Sequence, residues 1–202
     1  MLFLKENLKK FSPTSLKLIA GFLNKGAVLV LPTDTIYGLS CLADNEEAIK
    51  RIKKLKGNEK NKPLSILVSD LKMLKKYVYL SPEQEKKLKN IWSPKMRPTT
   101  VILKHRSKLP VILTGKSAGL AARLPKLDFL IKILAEVKRP LVSTSLNLTG
   151  EAVVNDLKKI KDYFPTRTLG PDLVVDAGIC KHKRASKIID LREDSKLIIV
   201  RK

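Results

Sequence analysis

Two polar turns, each directly after a run of apolar residues, carry the side chains best suited to bind a small ligand. They read PTDTIYGL at 32–39 and STSLNLTG at 143–150. Turns that follow strands form the ligand-binding edge of many α/β sheets, and their hydroxyls and backbone N–H groups suit a small polar molecule or a phosphate. The alternative is that both segments are only turns, because Ser, Thr, Asn and Gly favour turns for local reasons.

Other familiar kinds of active site are missing from the sequence. Neither turn has the glycine spacing of a P-loop or of a dinucleotide-binding fold. His105 and His182 are the only histidines, so no Ser-His-Asp triad is credible. Cys41 and Cys180 match no metal-binding spacing, and two thiols favour a reducing, cytoplasmic setting. No apolar run approaches the roughly 20 residues of a membrane span, and the N-terminus does not resemble a secretory signal.

The chain is strongly basic. Its 41 Lys and Arg residues outweigh 19 acidic residues, giving a net charge of +22. One interpretation is a polyanionic partner such as tRNA, which lysines would bind through its phosphates without reading its sequence. The other is a general excess of lysine on solvated helix faces, because net charge governs association and solubility rather than fold.

The apolar pattern predicts helices and strands that alternate at first, with strands clustered at the end. Helices are predicted from Ser12, from Asn45, and over 70–77, 82–92 and 128–137. Strands are predicted over 27–31, 64–68, 99–104, 119–124, 140–144, 173–176, 187–191 and 196–200. No repeat or linker interrupts the chain, so we expect one domain over 1–202 with an α/β fold and a mixed sheet.

Six segments resemble, in order, the motifs of the YrdC-like family. The two polar turns are the most specific. Each of the other four is weak alone and supports the resemblance because all occur in the family order. They are the lysines at 56 and 62 before a strand, RPTTVIL at 97–103, AARLP at 121–125 and ASKIID at 185–190. The resemblance runs from Ala27 to about Arg201. It implies a twisted mixed β-sheet flanked by helices, with a concave basic face.

The resemblance also implies an activity, that of the nucleotidyltransferase L-threonylcarbamoyladenylate synthase. Threonine and bicarbonate would form a carbamate that attacks the α-phosphate of ATP, giving threonylcarbamoyl-AMP and pyrophosphate. A partner complex would then transfer the threonylcarbamoyl group to tRNA. The chain would be the short, single-domain type. Mg²⁺ is expected on the phosphates of ATP rather than in a protein metal site, and no organic cofactor is expected.

Residue roles follow from the same resemblance. Threonine is assigned to Thr35, Arg123 and Ser143, with Arg123 clamping the carboxylate through two hydrogen bonds. A surface ion pair is the alternative for Arg123. Tyr37 would either wall the pocket or be hydrogen-bonded in the core. ATP is assigned to a second set: Lys56, Lys62, Thr100, Ser145, Asn147, Ser186 and Arg201. Catalysis would rest on positioning and charge stabilisation, not on a protein nucleophile.

The sequence departs from the family pattern at several places. Asn58 stands where the basic loop of the family has an arginine, and Arg97 or a nearby lysine would supply the missing cation. Leu146 replaces a small residue in the second polar turn, Lys187 replaces a threonine, and Val153 replaces a serine that contacts ATP in some relatives.

Two other functions compete with the synthase. One is an RNA-binding module with the same fold and no synthase activity, which the missing loop arginine favours. The other is the carbamoyl-adenylate chemistry of hydrogenase maturation proteins, whose acylphosphatase and zinc-finger domains have no counterpart in this sequence.

Overall fold

Ten strands form a single mixed sheet in the described part of the computed structural model. The structure describes residues 1–57, 62–154, 156–164, 170–179, 184–193 and 197–202. The strands are β1 (Leu2–Lys5), β2 (Leu29–Leu31), β3 (Gly38–Leu42), β4 (Ser65–Leu67), β5 (Thr99–Lys104), β6 (Gly119–Arg123), β7 (Leu141–Ser145), β8 (Leu173–Asp176), β9 (Lys187–Asp190) and β10 (Ile198–Arg201). The predicted α/β fold with a mixed sheet is confirmed.

The strand order within the sheet is β1-β8-β2-β3-β7-β4-β6-β5-β9-β10. Parallel pairing joins β1 to β8, β8 to β2, β4 to β6 and β5 to β9, and the remaining neighbours are antiparallel. Strands that are far apart in sequence are therefore neighbours, which brings the polar turns of different segments to one region.

The helices begin where the sequence supplies side-chain caps. The described helices are α1 (Pro13–Asn24), α2 (Glu46–Leu55), α3 (Leu71–Lys75), α4 (Pro82–Ile91), α5 (Val111–Thr114), α6 (Asp128–Val137) and α7 (Ile160–Tyr163), with a 3₁₀ turn over Leu157–Lys159. Ser12 and Asn45 cap α1 and α2 by accepting backbone N–H bonds, and Ser81 forms a capping box with Gln84 at α4. None of the described helices is long and apolar enough to cross a membrane.

Two apolar cores cover opposite faces of the sheet. In the run 28–31, Val28 and Val30 join one core while Leu29 and Leu31 join the other, and all four are fully buried. Helices α1 and α6 pack on one face, and α2, α3, α4, α5 and α7 pack on the other. The alternation shows that this predicted strand is buried on both faces of the sheet.

At one end of the sheet β10 is an edge strand with all four residues exposed. Its apolar residues Ile198, Ile199 and Val200 are between 44% and 56% exposed. Its pairing with β9 is interrupted by an irregularity between Ile199 and Arg201. Within the part of the chain that the structure describes, β10 is therefore hydrogen-bonded to a neighbouring strand along one side only.

Strands β1 and β3 were not predicted, and both have a physical reason. Strand β1 is four residues long, lies at the edge of the sheet and has mostly exposed side chains, so it lacks an apolar alternation. Strand β3 reads GLSCL, and Gly and Ser are poor indicators of a strand. The first residues of β3 also belong to the first polar turn, so the sequence pattern does not show where the strand begins.

Candidate functional site

A cavity of about 280 Å³ gathers the residues that the sequence singled out. All ten side chains predicted to contact threonine or ATP line it: Thr35, Lys56, Lys62, Thr100, Arg123, Ser143, Ser145, Asn147, Ser186 and Arg201. They come from segments spread over most of the chain. The geometry brings the two predicted sets together, and the ligand assigned to each residue stays a prediction.

The two polar turns meet because their strands pair. Strand β3, which follows the first turn, runs antiparallel to β7, with Gly38 opposite Ser145 and Ser40 opposite Ser143. A side chain at position 38 would be crowded, since an added Cβ would lie 3.1 Å from both the Ser143 hydroxyl and the Thr144 carbonyl oxygen. On the other side of β7, Ser65 donates a hydrogen bond to the Ser143 carbonyl at 2.7 Å. The floor of the cavity is therefore regular sheet.

The first turn is held by its own threonines. The Thr33 hydroxyl donates to the Ile36 carbonyl at 2.7 Å, accepts the Thr35 N–H at 3.0 Å and lies 2.8 Å from the Thr35 hydroxyl. Tyr37 is fully buried, and its hydroxyl donates to the Gly178 carbonyl at 2.7 Å and accepts the Ala177 N–H at 3.0 Å. Tyr37 is a core residue with satisfied hydrogen bonds whose edge borders the cavity.

Arg123 forms a buried ion pair with Asp34 of the first turn. Both side chains are 6% exposed, and the Arg123 guanidinium donates to one Asp34 oxygen. The other Asp34 oxygen accepts the backbone N–H of Lys126 at 3.0 Å. The alternative of a surface ion pair is wrong, because the partner carboxylate is as deeply buried as the arginine. A carboxylate behind Arg123 fixes the orientation of its guanidinium at the cavity wall.

Lys56 anchors the second polar turn. Its side chain is 5% exposed, and Nζ donates to the Ser145 carbonyl, the Asn147 carbonyl and Asn147 Oδ1 at 2.9–3.0 Å. The Ser145 hydroxyl donates to the same Asn147 oxygen at 2.6 Å. An ammonium group has three N–H donors. Lys56 therefore stabilises the turn that carries Ser145 and Asn147, in addition to facing the cavity.

A third group of residues links β5, β9 and β10. The hydroxyls of Thr100 and Ser186 lie 2.8 Å apart, and Arg201 donates to the Ser186 carbonyl at 3.0 and 2.7 Å. Burial lowers the pKa of Arg201, and the nearby positive charges of Arg123 and Arg97 lower it further. Several cations are therefore held close together at this side of the cavity.

The lining suits a ligand that carries both small polar groups and negative charge. Four cations face the cavity, from Lys56, Lys62, Arg123 and Arg201, together with the hydroxyls of the turns. Among the described residues that line it there is no carboxylate, histidine or cysteine. Such a site can bind anions and orient them, but it offers no obvious protein nucleophile or general base.

Residues 21–202 match the family model Sua5_yciO_yrdC, which is described as "Telomere recombination". The chain belongs to the Sua5/YciO/YrdC family. This finding confirms the family resemblance read from the six motifs. A relative from Methanocaldococcus jannaschii is 34% identical over 189 residues, which make up 92% of this chain and 86% of that protein. Another from Blochmanniella floridana, named threonylcarbamoyl-AMP synthase, is 32% identical over 164 residues, or 80% of this chain and 79% of that one.

A solved Sua5 structure agrees with the fold of this family member. Sua5 from Pyrococcus abyssi, in a crystal structure complexed with L-threonine, has a TM-score of 0.86 and 26% sequence identity. The match covers 99% of this chain and 56% of that chain, so the present chain spans just over half the length of the P. abyssi protein.

The departures from the Sua5/YciO/YrdC pattern have different structural contexts. Asn58 lies outside the described residues. Arg97 does not line the cavity that holds the ten residues, and it borders a neighbouring cavity instead. Leu146 is fully buried in one core, where a larger apolar side chain adds packing. Lys187 and Val153 are half-buried.

Sequence reasoning missed the residues that support the site from behind. Asp34 lies inside the first motif, directly before the predicted threonine contact Thr35. That position was the sequence feature that could have pointed to it. Lys53 is 5% exposed and donates to the Lys62 carbonyl at 2.7 Å, which fixes the backbone of a predicted contact. It lies on the face of α2 that also carries the buried residues Ile49 and Ile52. Because it is a lysine, sequence reasoning did not identify it as a buried residue.

Proposed function

We propose that this chain synthesises threonylcarbamoyl-AMP and pyrophosphate from L-threonine, bicarbonate and ATP. The observation that carries the proposal is the convergence of both polar turns and four cations on one cavity without a lining carboxylate among the described residues. Membership of the Sua5/YciO/YrdC family and relatives named threonylcarbamoyl-AMP synthase support it.

Threonine would bind at the side of the cavity formed by the first turn and β6. Arg123 presents N–H donors that a substrate carboxylate can accept, and Asp34 holds the guanidinium in place from behind. The hydroxyls of Thr35 and Ser143 border the same space and would exchange hydrogen bonds with the hydroxyl and amine of threonine. This side of the cavity would therefore select a small amino acid with a polar side chain.

The nucleotide would bind along the second turn and the β9–β10 side. Ser145 and Asn147 are held there by Lys56, and Thr100 and Ser186 place two hydroxyls beside Arg201. Hydroxyls and guanidinium groups are suitable donors to phosphate oxygens. Lys62 is exposed at the rim of the cavity, where its charge can attract the triphosphate.

The chemistry needs positioning more than a reactive side chain. The threonine amine attacks the bicarbonate carbon, a C–N bond forms and water leaves, giving a carbamate. A carbamate oxygen then attacks the α-phosphorus of ATP, and the bond to the bridging oxygen breaks to release pyrophosphate. Fixed cations stabilise the charge that builds up on the phosphate oxygens. Mg²⁺ would be held mainly by the phosphates of ATP, since Mg²⁺ usually binds through substrate phosphates with few protein ligands.

The decisive experiment is a pyrophosphate-release assay with purified protein, ATP and Mg²⁺. We expect release only when threonine and bicarbonate are both present, because the carbamate is the nucleophile. Omitting either one is the control, and serine in place of threonine tests substrate choice. ATP left intact with every substrate present would contradict the synthase and favour an RNA-binding module.

Arg201→Ala should weaken ATP binding with little effect on stability. The Arg201 side chain borders the cavity from the edge strand and hydrogen-bonds to Ser186. Loss of a charge-assisted hydrogen bond to phosphate corresponds to roughly a ten-fold loss of affinity or more. Isothermal calorimetry with ATP and thermal melting measure the two effects, and Lys104→Ala, at the exposed end of β5, is the control for charge. A large drop in melting temperature with unchanged ATP affinity would mean that Arg201 is structural.

We further propose that the product passes to a separate transferase complex that modifies tRNA, in the cytoplasm. This chain would itself bind tRNA only through its excess of positive charge. An electrostatic contact of this kind weakens as salt rises and does not depend on RNA sequence. Affinity for tRNA and for an unrelated RNA of equal length should then fall together across a salt series.

A further inference from the structure

Ser40, in the middle of β3, is a buried hydroxyl without a hydrogen-bond partner. The residue is fully buried, and its Oγ is the one buried side-chain polar atom of the described residues that is left unpaired. An unpaired hydroxyl is unfavourable in an apolar interior, and nearly every buried polar group in a folded protein has a partner. The position of Ser40 next to the candidate site connects this unpaired group with ligand binding.

Ser40 lies on the same face of the sheet as Ser143. Along β3, Cys41 joins one apolar core and Leu42 joins the other. Because side chains alternate along a strand, Ser40 shares the face of Leu42. On β7, Leu141 belongs to the same core as Leu42, which places Ser143 on that face too. Ser143 lines the cavity, and Ser40 lies beside it without lining the cavity.

Three serines form a row across this face. Strand pairing sets Ser40 opposite Ser143, and it sets Ser143 opposite Ser65 on β4. The Ser65 hydroxyl is already engaged, since it donates to the Ser143 carbonyl at 2.7 Å. The partner of Ser40 on its other side is Leu29, which has no polar side chain. Ser143 is therefore the polar cross-strand neighbour that the Ser40 hydroxyl can reach.

The hydroxyls of Ser40 and Ser143 are neighbours that do not bond to each other in this structure. Residues directly opposite each other in an antiparallel pair have Cβ atoms about 4.5–5.5 Å apart, so two hydroxyls that point toward each other can hydrogen-bond. The Ser143 hydroxyl instead lies near Gly38, where an added Cβ would be 3.1 Å from it. Gly38 pairs with Ser145, the next residue on this face of β7. Rotation about χ1 of Ser143 therefore moves its hydroxyl between the Gly38 side and the Ser40 side.

We propose that Ser40 is a positioning residue of the threonine site, whose hydroxyl donates a hydrogen bond to Ser143 Oγ when threonine is bound. The proposal rests on the proposed function, which assigns Ser143 to threonine. A hydroxyl can accept and donate at the same time, so Ser143 would accept from Ser40 and direct its own hydrogen to an oxygen of threonine. Linked hydrogen bonds polarise one another in a low-dielectric site. The hydroxyl that is unpaired in the free protein thus gains its partner in the complex.

The test is a double-mutant cycle on L-threonine binding, measured by calorimetry with the purified protein. Ser40→Ala should weaken threonine binding about three- to ten-fold, as for loss of one hydrogen bond, at unchanged ATP affinity. Its melting temperature should equal or exceed that of the unmodified protein, because alanine removes a buried unpaired hydroxyl. In a Ser143→Ala background, Ser40→Ala should have no further effect on threonine affinity, since the partner is gone. The control is Cys41→Ala, which opens space in the other core and should lower the melting temperature at unchanged threonine affinity.

The outcomes separate the role of Ser40 from the synthase reaction. Unmodified protein that binds no threonine would overturn the proposed function and this inference together. Threonine binding that Ser40→Ala leaves unchanged would overturn the inference alone. So would losses of affinity that add in the double variant, because Ser40 would then act independently of Ser143. An equal loss of threonine affinity in Cys41→Ala would also overturn it, because any disturbance of β3 would then have the same effect.

Discussion

Asp34→Ala is expected to lower the free energy of unfolding by about 3–5 kcal/mol, the usual cost of removing one partner from a buried ion pair. The substitution leaves the Arg123 guanidinium buried without its carboxylate and also removes the acceptor for the Lys126 N–H. Asp34→Asn should cost less, because it keeps an acceptor oxygen but not the charge. Urea unfolding of the three proteins measures the effect.

The matched control is Asp44→Ala, which breaks an exposed pair. Asp44 lies 3.3 Å from Arg139, and both side chains are more than a third exposed. An exposed ion pair contributes about 0–1 kcal/mol, so this variant should stay close to the unmodified protein. Equal losses for Asp34→Ala and Asp44→Ala would show that burial adds nothing to the Asp34–Arg123 interaction.

Threonine should partly rescue Asp34→Ala if Arg123 binds the substrate carboxylate. The ligand would then supply the negative charge that the substitution removed, and binding to the folded state raises the free energy of unfolding. We expect a larger increase in melting temperature with threonine in this variant than in Asp44→Ala. No difference between the two would place Arg123 outside the threonine site while leaving its structural role intact.

Lys56→Met is expected to destabilise the fold by about 3 kcal/mol and to abolish detectable nucleotide binding. Methionine fills a similar volume but leaves the carbonyl oxygens of Ser145 and Asn147 and the Asn147 side chain without the donor they share. Each buried acceptor that loses its partner costs about 1–3 kcal/mol, with partial compensation from water in the cavity. Lys54→Met, at an exposed position in the last turn of α2 just before Lys56, is the control.

This prediction separates two roles for Lys56. If the lysine chiefly stabilises the second turn, stability and ATP affinity fall together, because Ser145 and Asn147 lose their positions. If it is instead only a phosphate contact, Lys56→Met should lose ATP affinity at nearly unchanged stability. Denaturant unfolding and ATP calorimetry on the same preparation distinguish the two.

The elements that sequence reasoning located well are those whose apolar pattern is set by burial. The predicted strand 99–104 and helix 128–137 match β5 and α6 residue for residue. Strand 27–31 was predicted two residues too long at its start, since residues 27 and 28 are buried but not paired as strand. A buried face produces a periodic pattern of apolar residues in the sequence. The pairing of strands depends instead on segments that are distant in sequence.

The candidate site could be located from its motifs because their order places them on neighbouring strands. What the sequence could not reveal is how the polar side chains are paired with one another. Asp34 and Arg123 are 89 residues apart in sequence, and Lys56 and Asn147 are 91 residues apart. Such contacts depend on strand order and on side-chain geometry, and neither has a local signal.

The exposed edge strand β10 gives one part of the candidate site a lower local stability than the rest. Among the described strands β10 pairs with β9 alone, so its amide hydrogens should exchange with solvent through local opening rather than through global unfolding. Arg201 belongs to this strand, whereas Lys56 and Arg123 are fixed in buried surroundings. If the strand opened locally, the Arg201 guanidinium would leave Ser186 while the two polar turns stayed in place. One wall of the cavity is therefore held by buried contacts, whereas the wall formed by β10 can open locally. A phosphate ligand bound to Arg201 would slow the hydrogen exchange of the β10 amides, although it would not bury the strand.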